Sequence, residues 1–225
     1  MIIIIICSVV TILLGVLILK NAKPLKQMAE SNELNNIVDK FPENIEICKS
    51  ILKKLGNESI EIQEDNESKT SLYIAISNKI VIANIRNNFA RVQTIAHECL
   101  HSVQDRKLLL FNFVYSNLYI IYFIAICLLT IFGNIKDGML HIEILTISGF
   151  IYYAVRSYLE TDAMTKARYI AKEYIDENNL CSKEKLNKLI KQYDELNKIG
   201  IPLYNYNLLF NVMLKILIYC IIFAI

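Results

Sequence analysis

The run His97-Glu98-Cys99-Leu100-His101 uses two of the three histidines in the chain and places a glutamate directly after the first. On a helix, positions i and i+4 lie one above the other on one face, so both imidazoles can reach one ion. Neutral imidazole is a good zinc ligand, and Glu98 beside the ion could take a proton from a metal-bound water. The run therefore predicts a metal-binding helix that carries a general base. The alternative is an exposed helix with two unrelated histidines.

The composition of the chain is strongly apolar. Apolar residues make up 54% of the 225 residues, charged residues make up 20%, and the mean hydropathy is +0.37. These values are too apolar for an ordinary soluble domain and indicate a membrane protein. The net charge of +2 is close to neutral, so nothing in it suggests a nucleic-acid partner.

The six cysteines do not form a recognisable framework. No C-x-x-C pair is present and three of the six lie in apolar runs, which argues against both a disulfide framework and a Cys-type zinc site. Cys99 lies inside the histidine run but points away from His97 and His101 on a helix. We interpret it as a small packing residue, with a functional thiol as the alternative.

Four apolar runs are candidates to cross a bilayer. They cover Met1–Leu19, Leu108–Phe132, Met139–Val155 and residues 206–225. We interpret residues 1–20 as an uncleaved N-terminal anchor because the positive charges follow the run; a cleaved signal peptide is the alternative. Residues 109–155 are predicted to form a transmembrane hairpin, and residues 206–225 a C-terminal transmembrane helix.

Two polar segments separate these runs. Residues 24–108 are predicted to form a small domain, and residues 156–204 two helices, the second of which ends at Gly200-Ile201-Pro202. Within the first segment we expect, in order, a helix over residues 43–55 ended by Gly56-Asn57, a strand over 59–64, a hairpin of strands over 71–76 and 79–83, and then the histidine helix.

The histidine helix is predicted to be amphipathic. It begins after residues 84–88, and the face away from the histidines holds Val92, Ile95, Cys99 and Val103. The strand just ahead of it could hold an extended peptide by strand addition, or it could be purely structural.

The basic residues predict the orientation in the membrane. Residues 20–107 hold 13 of the 24 basic residues and residues 156–198 hold nine, whereas the connector between the second and third runs holds only Lys136. Four spans place both polar segments on one side, and the excess of positive charge makes that side cytoplasmic. The two polar segments can therefore meet.

A catalytic zinc usually has three protein ligands, so a third ligand is needed. The extended H-E-x-x-H-x-x-G-x-x-H signature is excluded, because Gln104 and Lys107 stand at its glycine and last histidine. Glu160 is the best candidate, since the returning hairpin carries it back to the level of the histidine helix. The alternative is a solvated helix carboxylate, or one that pairs with Arg156.

The third histidine lies apart from this pattern, within an apolar run. His141 and Glu143 lie near the start of the third apolar run, and we expect them at the membrane interface rather than on the metal.

Two stretches resemble the neutral zinc metallopeptidases of YugP type, which are membrane gluzincins. Residues 95–104 are similar to that family's active-site helix, A-A-H-E-V-G-H-A-x-Q, and residues 160–167 to its second motif, E-F-D-A-S-x-x-A. The resemblance implies that His97, His101 and Glu160 bind zinc and that Glu98 is the general base. It also makes Asp162, with Gln104, a candidate to support the ligands from behind. Leu100 departs from the family, which has glycine there, and this bears on activity more than on fold.

The expected protein is mainly α, an integral membrane protein of about four transmembrane helices with a small α+β zincin-like metallopeptidase domain. We expect it to hydrolyse peptide bonds of membrane or membrane-proximal proteins with Zn²⁺ as its cofactor. Its expected surroundings are a protein or peptide substrate and the lipid bilayer, in a multi-pass cell-membrane protein with the site on the cytoplasmic side. Two alternatives stay open: a non-catalytic membrane protein that binds zinc or a partner, and a protease for soluble peptides on the other side.

Overall fold

The computed structural model describes residues 2–29, 31–68 and 70–225. Helices dominate it, with one small sheet between the third and fourth helices. The elements in chain order are α1 Ile2–Ala29, α2 Asn32–Val38, α3 Asn44–Lys54, β1 Glu61–Asp65, β2 Leu72–Ile74, β3 Lys79–Ala83, α4 Arg91–His101, α5 Arg106–Ile131, α6 Gly138–Glu177 and α7 Lys183–Ala224.

The chain divides into two compact units. The first, which we call the apolar unit, holds residues 1–22, 111–158 and 202–225. The second, the mixed unit, holds residues 23–110 and 159–201. Each of the long helices α1, α5, α6 and α7 contributes residues to both units.

The sheet of the mixed unit has the strand order β1-β3-β2. β3 pairs in parallel with β1 and antiparallel with β2. The hairpin that the sequence predicts is therefore confirmed, and its turn is closed by Asn78, which adopts a left-handed conformation with φ of 53°. Asparagine tolerates that conformation better than most residues do.

The strand directly ahead of the histidine helix is β3, and it is the central strand. Because β1 and β2 occupy both of its edges, β3 has no edge for an added peptide strand. Of the two alternatives for this strand, peptide binding by strand addition is therefore wrong and a structural role remains. The parallel pairing of β1, from Glu61↔Lys79 to Asp65↔Ala83, is the contact that the sequence pattern did not indicate.

Helix α3 ends as the sequence predicts. Gly56 has a φ of 72°, and the backbone N–H of Asn57 donates to the carbonyl of Leu52 while that of Gly56 donates to Lys53. This arrangement is a Schellman motif, which satisfies the last carbonyls of a helix and favours glycine at the left-handed position.

The core of the mixed unit forms around α4. Val92, Ile95 and Cys99 are fully buried there, as expected, together with alanines at every fourth position of α6, Ala163, Ala167 and Ala171. Val103 does not belong to this face: it lies beyond the end of α4 and is 44% exposed, so the expectation that it lies on the same helix face as Val92, Ile95 and Cys99 is wrong. The helical phase that would bury it is lost once the helix has ended.

The helices of the apolar unit are long and apolar enough to cross a membrane. Among the described residues there are four such helices, over Ile2–Met28, Arg106–Ile131, Gly138–Glu177 and Lys183–Ala224. A multi-pass membrane protein is compatible with this architecture. Within the unit, Tyr115 donates to the carbonyl of Ser148 at 3.2 Å, and Arg156 donates to the hydroxyl of Tyr204 at 3.0 Å.

One predicted helix boundary is wrong. The second predicted helix does not end at Gly200-Ile201-Pro202, since α7 is continuous from Lys183 to Ala224 with Pro202 inside it. Proline removes one backbone donor and crowds the preceding turn, at a cost of about 3 kcal/mol. Buried side chains on both sides of it, Tyr193 and Val212, hold the helix, and this packing outweighs the local penalty.

Candidate metal centre

Three side chains converge in the mixed unit: His97 and His101 on α4, and Glu160 on α6. The Nε2 atoms of His97 and His101 lie 3.0 Å apart. Oε2 of Glu160 lies 3.3 Å from Nε2 of His97 and 3.6 Å from Nε2 of His101. The structure thus brings together the three residues that the sequence singled out as metal ligands.

The spacing of these three atoms fits one metal ion. Ligand atoms about 2.1 Å from a tetrahedral zinc are about 3.4 Å from one another, which is close to the three observed separations. His101 and Glu160 are buried, at 7% and 5% exposure. Uncompensated carboxylates are costly inside a protein, so an ion held between these groups would offset the cost. The residues present could therefore hold a metal ion.

Glu98 lies beside this cluster rather than in it. Its Oε1 atom is 4.0 Å from Nε2 of His97, and its carboxylate accepts a hydrogen bond from the backbone N–H of Tyr73 on β2. Burial raises the pKa of Glu98, the nearby His97 and His101 lower it, and Glu160 raises it again, with a raised pKa as the net result. A carboxylate of raised pKa next to a metal is suited to accept and return a proton.

The pKa of His101 is also raised. Burial, the largest single effect, lowers it, but the hydrogen bond and charge of Glu160, the charge of Glu98 and the contact with Gln104 together raise it. The field at the cluster is therefore one that favours positive charge, as a site for a cation requires.

Gln104 and Asp162 stand behind the histidines. Nδ1 of His101 and Oε1 of Gln104 are 2.8 Å apart. The amide nitrogen of Gln104 donates to the carbonyl of Leu159 at 2.8 Å and to Oδ2 of Asp162 at 3.1 Å. The two residues named from the sequence as supporting residues are thus in contact with each other and, through Gln104, with one proposed ligand.

Two further hydrogen bonds hold α4 one turn before His97. The amide nitrogen of Gln93 donates to Oδ1 of Asn197 on α7 at 2.6 Å. The amide nitrogen of Asn197 in turn donates to the carbonyl of Met164 on α6 at 3.1 Å. Asn197 therefore connects the two helices that carry the proposed ligands. This pair could not be predicted from the sequence, because single asparagine and glutamine residues carry no signal of a long-range partner.

Other candidates from the sequence lie outside the cluster. Nδ1 of His141 is 2.8 Å from the hydroxyl of Tyr122, within the apolar unit, and Glu143 is exposed. Cys99 is fully buried, with its Sγ atom 3.6 Å from that of Cys48, which agrees with a packing role. Leu100 is 7% exposed and belongs to the core of the mixed unit.

Comparisons with known proteins add no family to this description. No protein-family model, no curated protein and no solved structure matches the chain. The chemistry of the site therefore has to be argued from its own residues.

Proposed function

We propose that this protein is a membrane-embedded zinc metallopeptidase. The observation that carries the proposal is a His-His-Glu group, with His97 half-buried and His101 and Glu160 buried, and a separate buried glutamate, Glu98, directly beside it. Three ligands plus one uncommitted acid–base residue are the parts that a catalytic zinc site needs, whereas structural zinc sites use four protein ligands. The resemblance of residues 95–104 and 160–167 to the neutral zinc metallopeptidases of YugP type supports the same reading.

In this mechanism His97, His101 and Glu160 would hold the ion. A zinc ion bound there would supply Lewis-acid polarisation of the scissile carbonyl and would lower the pKa of the attacking water. Glu98 would take a proton from the attacking water and return it to the leaving amine. Burial keeps Glu98 out of bulk water, and the backbone N–H of Tyr73 favours the ionised form of its carboxylate.

The substrates we propose are membrane or membrane-proximal proteins, cut on the cytoplasmic side. Four apolar helices and the concentration of basic residues in the two polar segments support this placement. Glu160 follows directly on the apolar part of α6, and His101 precedes α5 by only a few residues, so both ligand helices adjoin predicted spans in sequence.

The decisive experiment compares purified wild-type protein with a Glu98→Gln variant, both loaded with zinc, on an unfolded protein and on a membrane-anchored peptide. We expect the variant to retain zinc and to lose at least about 100-fold in hydrolysis rate, because general-base catalysis contributes on the order of 10²–10⁴. A Glu58→Gln variant is the matched control, since Glu58 is an exposed glutamate of the same unit.

Equal rates for wild type and Glu98→Gln would contradict the proposal. So would zinc-loaded wild type that cuts neither substrate. In that case the alternative is a non-catalytic membrane protein with zinc bound in the same place. The departure that favours this alternative is Leu100, where the resembling family has glycine.

A further inference from the structure

The Gln104 side chain contacts a proposed ligand of α4 and the ligand-bearing helix α6 at the same time. It lies just beyond α4, and its backbone N–H donates to the carbonyl of His101 at 3.3 Å, which keeps its side chain beside that residue. Its partners on α6 are the Leu159 carbonyl and the Asp162 carboxylate, one on each side of Glu160. Gln104 therefore connects the proposed ligand His101 to residues on both sides of the proposed ligand Glu160.

The orientation of the Gln104 amide follows from its partners. A backbone carbonyl and a carboxylate are acceptors only, so the atom that faces both must be the amide nitrogen. The amide oxygen then faces Nδ1 of His101, at 2.8 Å, and it too is only an acceptor. Nδ1 of His101 must consequently carry a proton and donate it to Gln104, so that Nε2 is the ring nitrogen left to bind a metal ion, on the side of Glu160 and His97.

Asp162 is itself held in place. Its Oδ1 atom is 2.6 Å from Nζ of Lys166, one turn further along α6, while its Oδ2 atom receives the Gln104 amide. Each carboxylate oxygen of Asp162 has its own partner, so rotation of this carboxylate would break a contact. The orientation of the Gln104 amide thus depends on Asp162, a negatively charged residue that is itself held in place.

We propose that Gln104, oriented by Asp162 and the Leu159 carbonyl, is a positioning residue that holds His101 in its Nδ1-protonated tautomer and in register with Glu160, and so raises metal affinity. The proposal rests on the metal centre of the proposed function but not on hydrolysis. Supporting groups that fix a ligating histidine typically contribute 10- to 100-fold in metal affinity.

The first test measures zinc affinity of the full-length protein by competition with a chromophoric chelator. A Gln104→Met variant keeps the size of the side chain but removes its donor and acceptor, so we expect zinc to bind 10- to 100-fold more weakly. A Gln63→Met variant makes the same exchange at an exposed position of β1 and is expected to bind as wild type does. Wild-type affinity in Gln104→Met would overturn the proposal.

A charge-conserving exchange between Gln104 and Asp162 tests the direction of their hydrogen bond rather than the size of the side chains. In the single variant Gln104→Glu, two carboxylates face each other across the former hydrogen bond, and we expect weak zinc binding. Adding Asp162→Asn supplies an amide donor to the new carboxylate, which can still accept from Nδ1 of His101. We expect the double variant to bind zinc at least 10-fold more tightly than Gln104→Glu alone. A double variant no better than the single one would contradict the inference, even if Gln104→Met failed to fold.

The tautomer can be observed directly, because the chain has only three histidines. In metal-free protein with ¹⁵N-labelled histidine, at a pH high enough for the imidazoles to be neutral, nitrogen chemical shifts should show His101 with its proton on Nδ1 in the wild type and a mixture of tautomers in Gln104→Met. A single unchanged tautomer in the variant would overturn the proposal. Zinc binding with normal Gln104 dependence but no proteolysis would overturn only the proposed function.

Discussion

Glu160 Oε2 lies 3.6 Å from His101 Nε2, although α5 and the apolar part of α6 separate the two residues in sequence. The cluster is therefore complete only when the chain returns after this helical hairpin. A ligand that binds the folded arrangement and not the unfolded chain stabilises the fold by mass action. Metal binding and folding of the mixed unit should accordingly be coupled.

This coupling gives a first prediction. Zinc at 100 times its dissociation constant should stabilise the wild-type protein by about 2.7 kcal/mol and raise the temperature of unfolding measured by circular dichroism. A His97→Ala variant should lose this response and should bind less than one zinc per chain by elemental analysis.

The control for that prediction is His141→Ala. His141 is the remaining histidine of the chain, and its Nδ1 atom is in contact with Tyr122 rather than with the cluster. The variant should keep both the zinc content and the zinc-dependent shift. Loss of zinc from His141→Ala but not from His97→Ala would mean that the metal binds elsewhere.

Leu100 gives a second prediction. It departs from the resembling family inside the histidine run, yet its side chain is 7% exposed and packs into the core of the mixed unit. Leu100→Ala should therefore destabilise the protein by about 2–5 kcal/mol, the range for deletion of a buried leucine side chain. The zinc affinity of the folded variant should stay close to that of the wild type.

Chemical unfolding of the mixed unit, followed by circular dichroism, measures this effect. Val103→Ala is the matched control, because Val103 is 44% exposed and lies just past α4. Its effect should stay within about 0.5 kcal/mol. If Leu100→Ala weakened zinc binding without loss of stability, the leucine would have to be assigned to the metal site instead of the core.

Local and periodic features of the fold were predictable from the sequence. The spacing of His97 and His101 places both on one face of a helix, and Gly56 marks the end of α3 because glycine adopts the left-handed backbone conformation with the least strain. Long apolar runs likewise indicate long apolar helices whatever their neighbours are. The length and hydropathy of two consecutive apolar runs predict a helical hairpin, and this hairpin brings Glu160 back to the level of the histidine helix.

Features that depend on distant partners were not predictable. The parallel pairing of β1 with β3 is set by tertiary packing, and it is this pairing that makes β3 a central strand. Pro202 remains inside α7 because packing on both sides of it outweighs a local penalty. The Tyr73 N–H and the Leu159 carbonyl are backbone groups, which every residue carries, so no residue type could have pointed to their role at the site.

The bond between Gln93 and Asn197 gives a third prediction. The Asn197 nitrogen is committed to the Met164 carbonyl, so its oxygen is the acceptor for Gln93 at 2.6 Å. An Asn197→Leu variant leaves the buried Gln93 amide without that acceptor and should cost about 1–3 kcal/mol in unfolding free energy. Replacing both residues by leucine should cost less than the two single changes added together, because no unsatisfied donor remains.

A double-mutant cycle in chemical unfolding measures the coupling of Gln93 with Asn197. The matched control cycle pairs Gln93 with Gln63, an exposed residue of β1, and should show no coupling beyond about 0.5 kcal/mol. Strict additivity of Gln93→Leu and Asn197→Leu would mean that the hydrogen bond contributes nothing specific to the attachment of α7.

The proposed orientation in the membrane gives a fourth prediction. Single cysteines introduced at Glu58 and Glu184, both exposed residues of the mixed unit, should react with a membrane-impermeant maleimide only after the membrane is opened. A cysteine at Asn134, an exposed residue between α5 and α6, should react in intact cells. The physical reason for this expectation is the bias of basic residues toward the two polar segments, which favours the cytoplasmic side for segments of that composition.

The native cysteines set the background for this labelling. Four of them are buried, so the parent protein should label weakly; these are Cys7, Cys48, Cys99 and Cys220. The labelling of each introduced cysteine is measured as the increase over the labelling of the parent protein. Labelling of Glu58→Cys and Glu184→Cys in intact cells, with Asn134→Cys protected, would reverse the orientation and place the metal centre outside. The same site would then act on soluble or surface peptides. Opposite results at Glu58→Cys and Glu184→Cys would show that α5 and α6 do not both span the membrane.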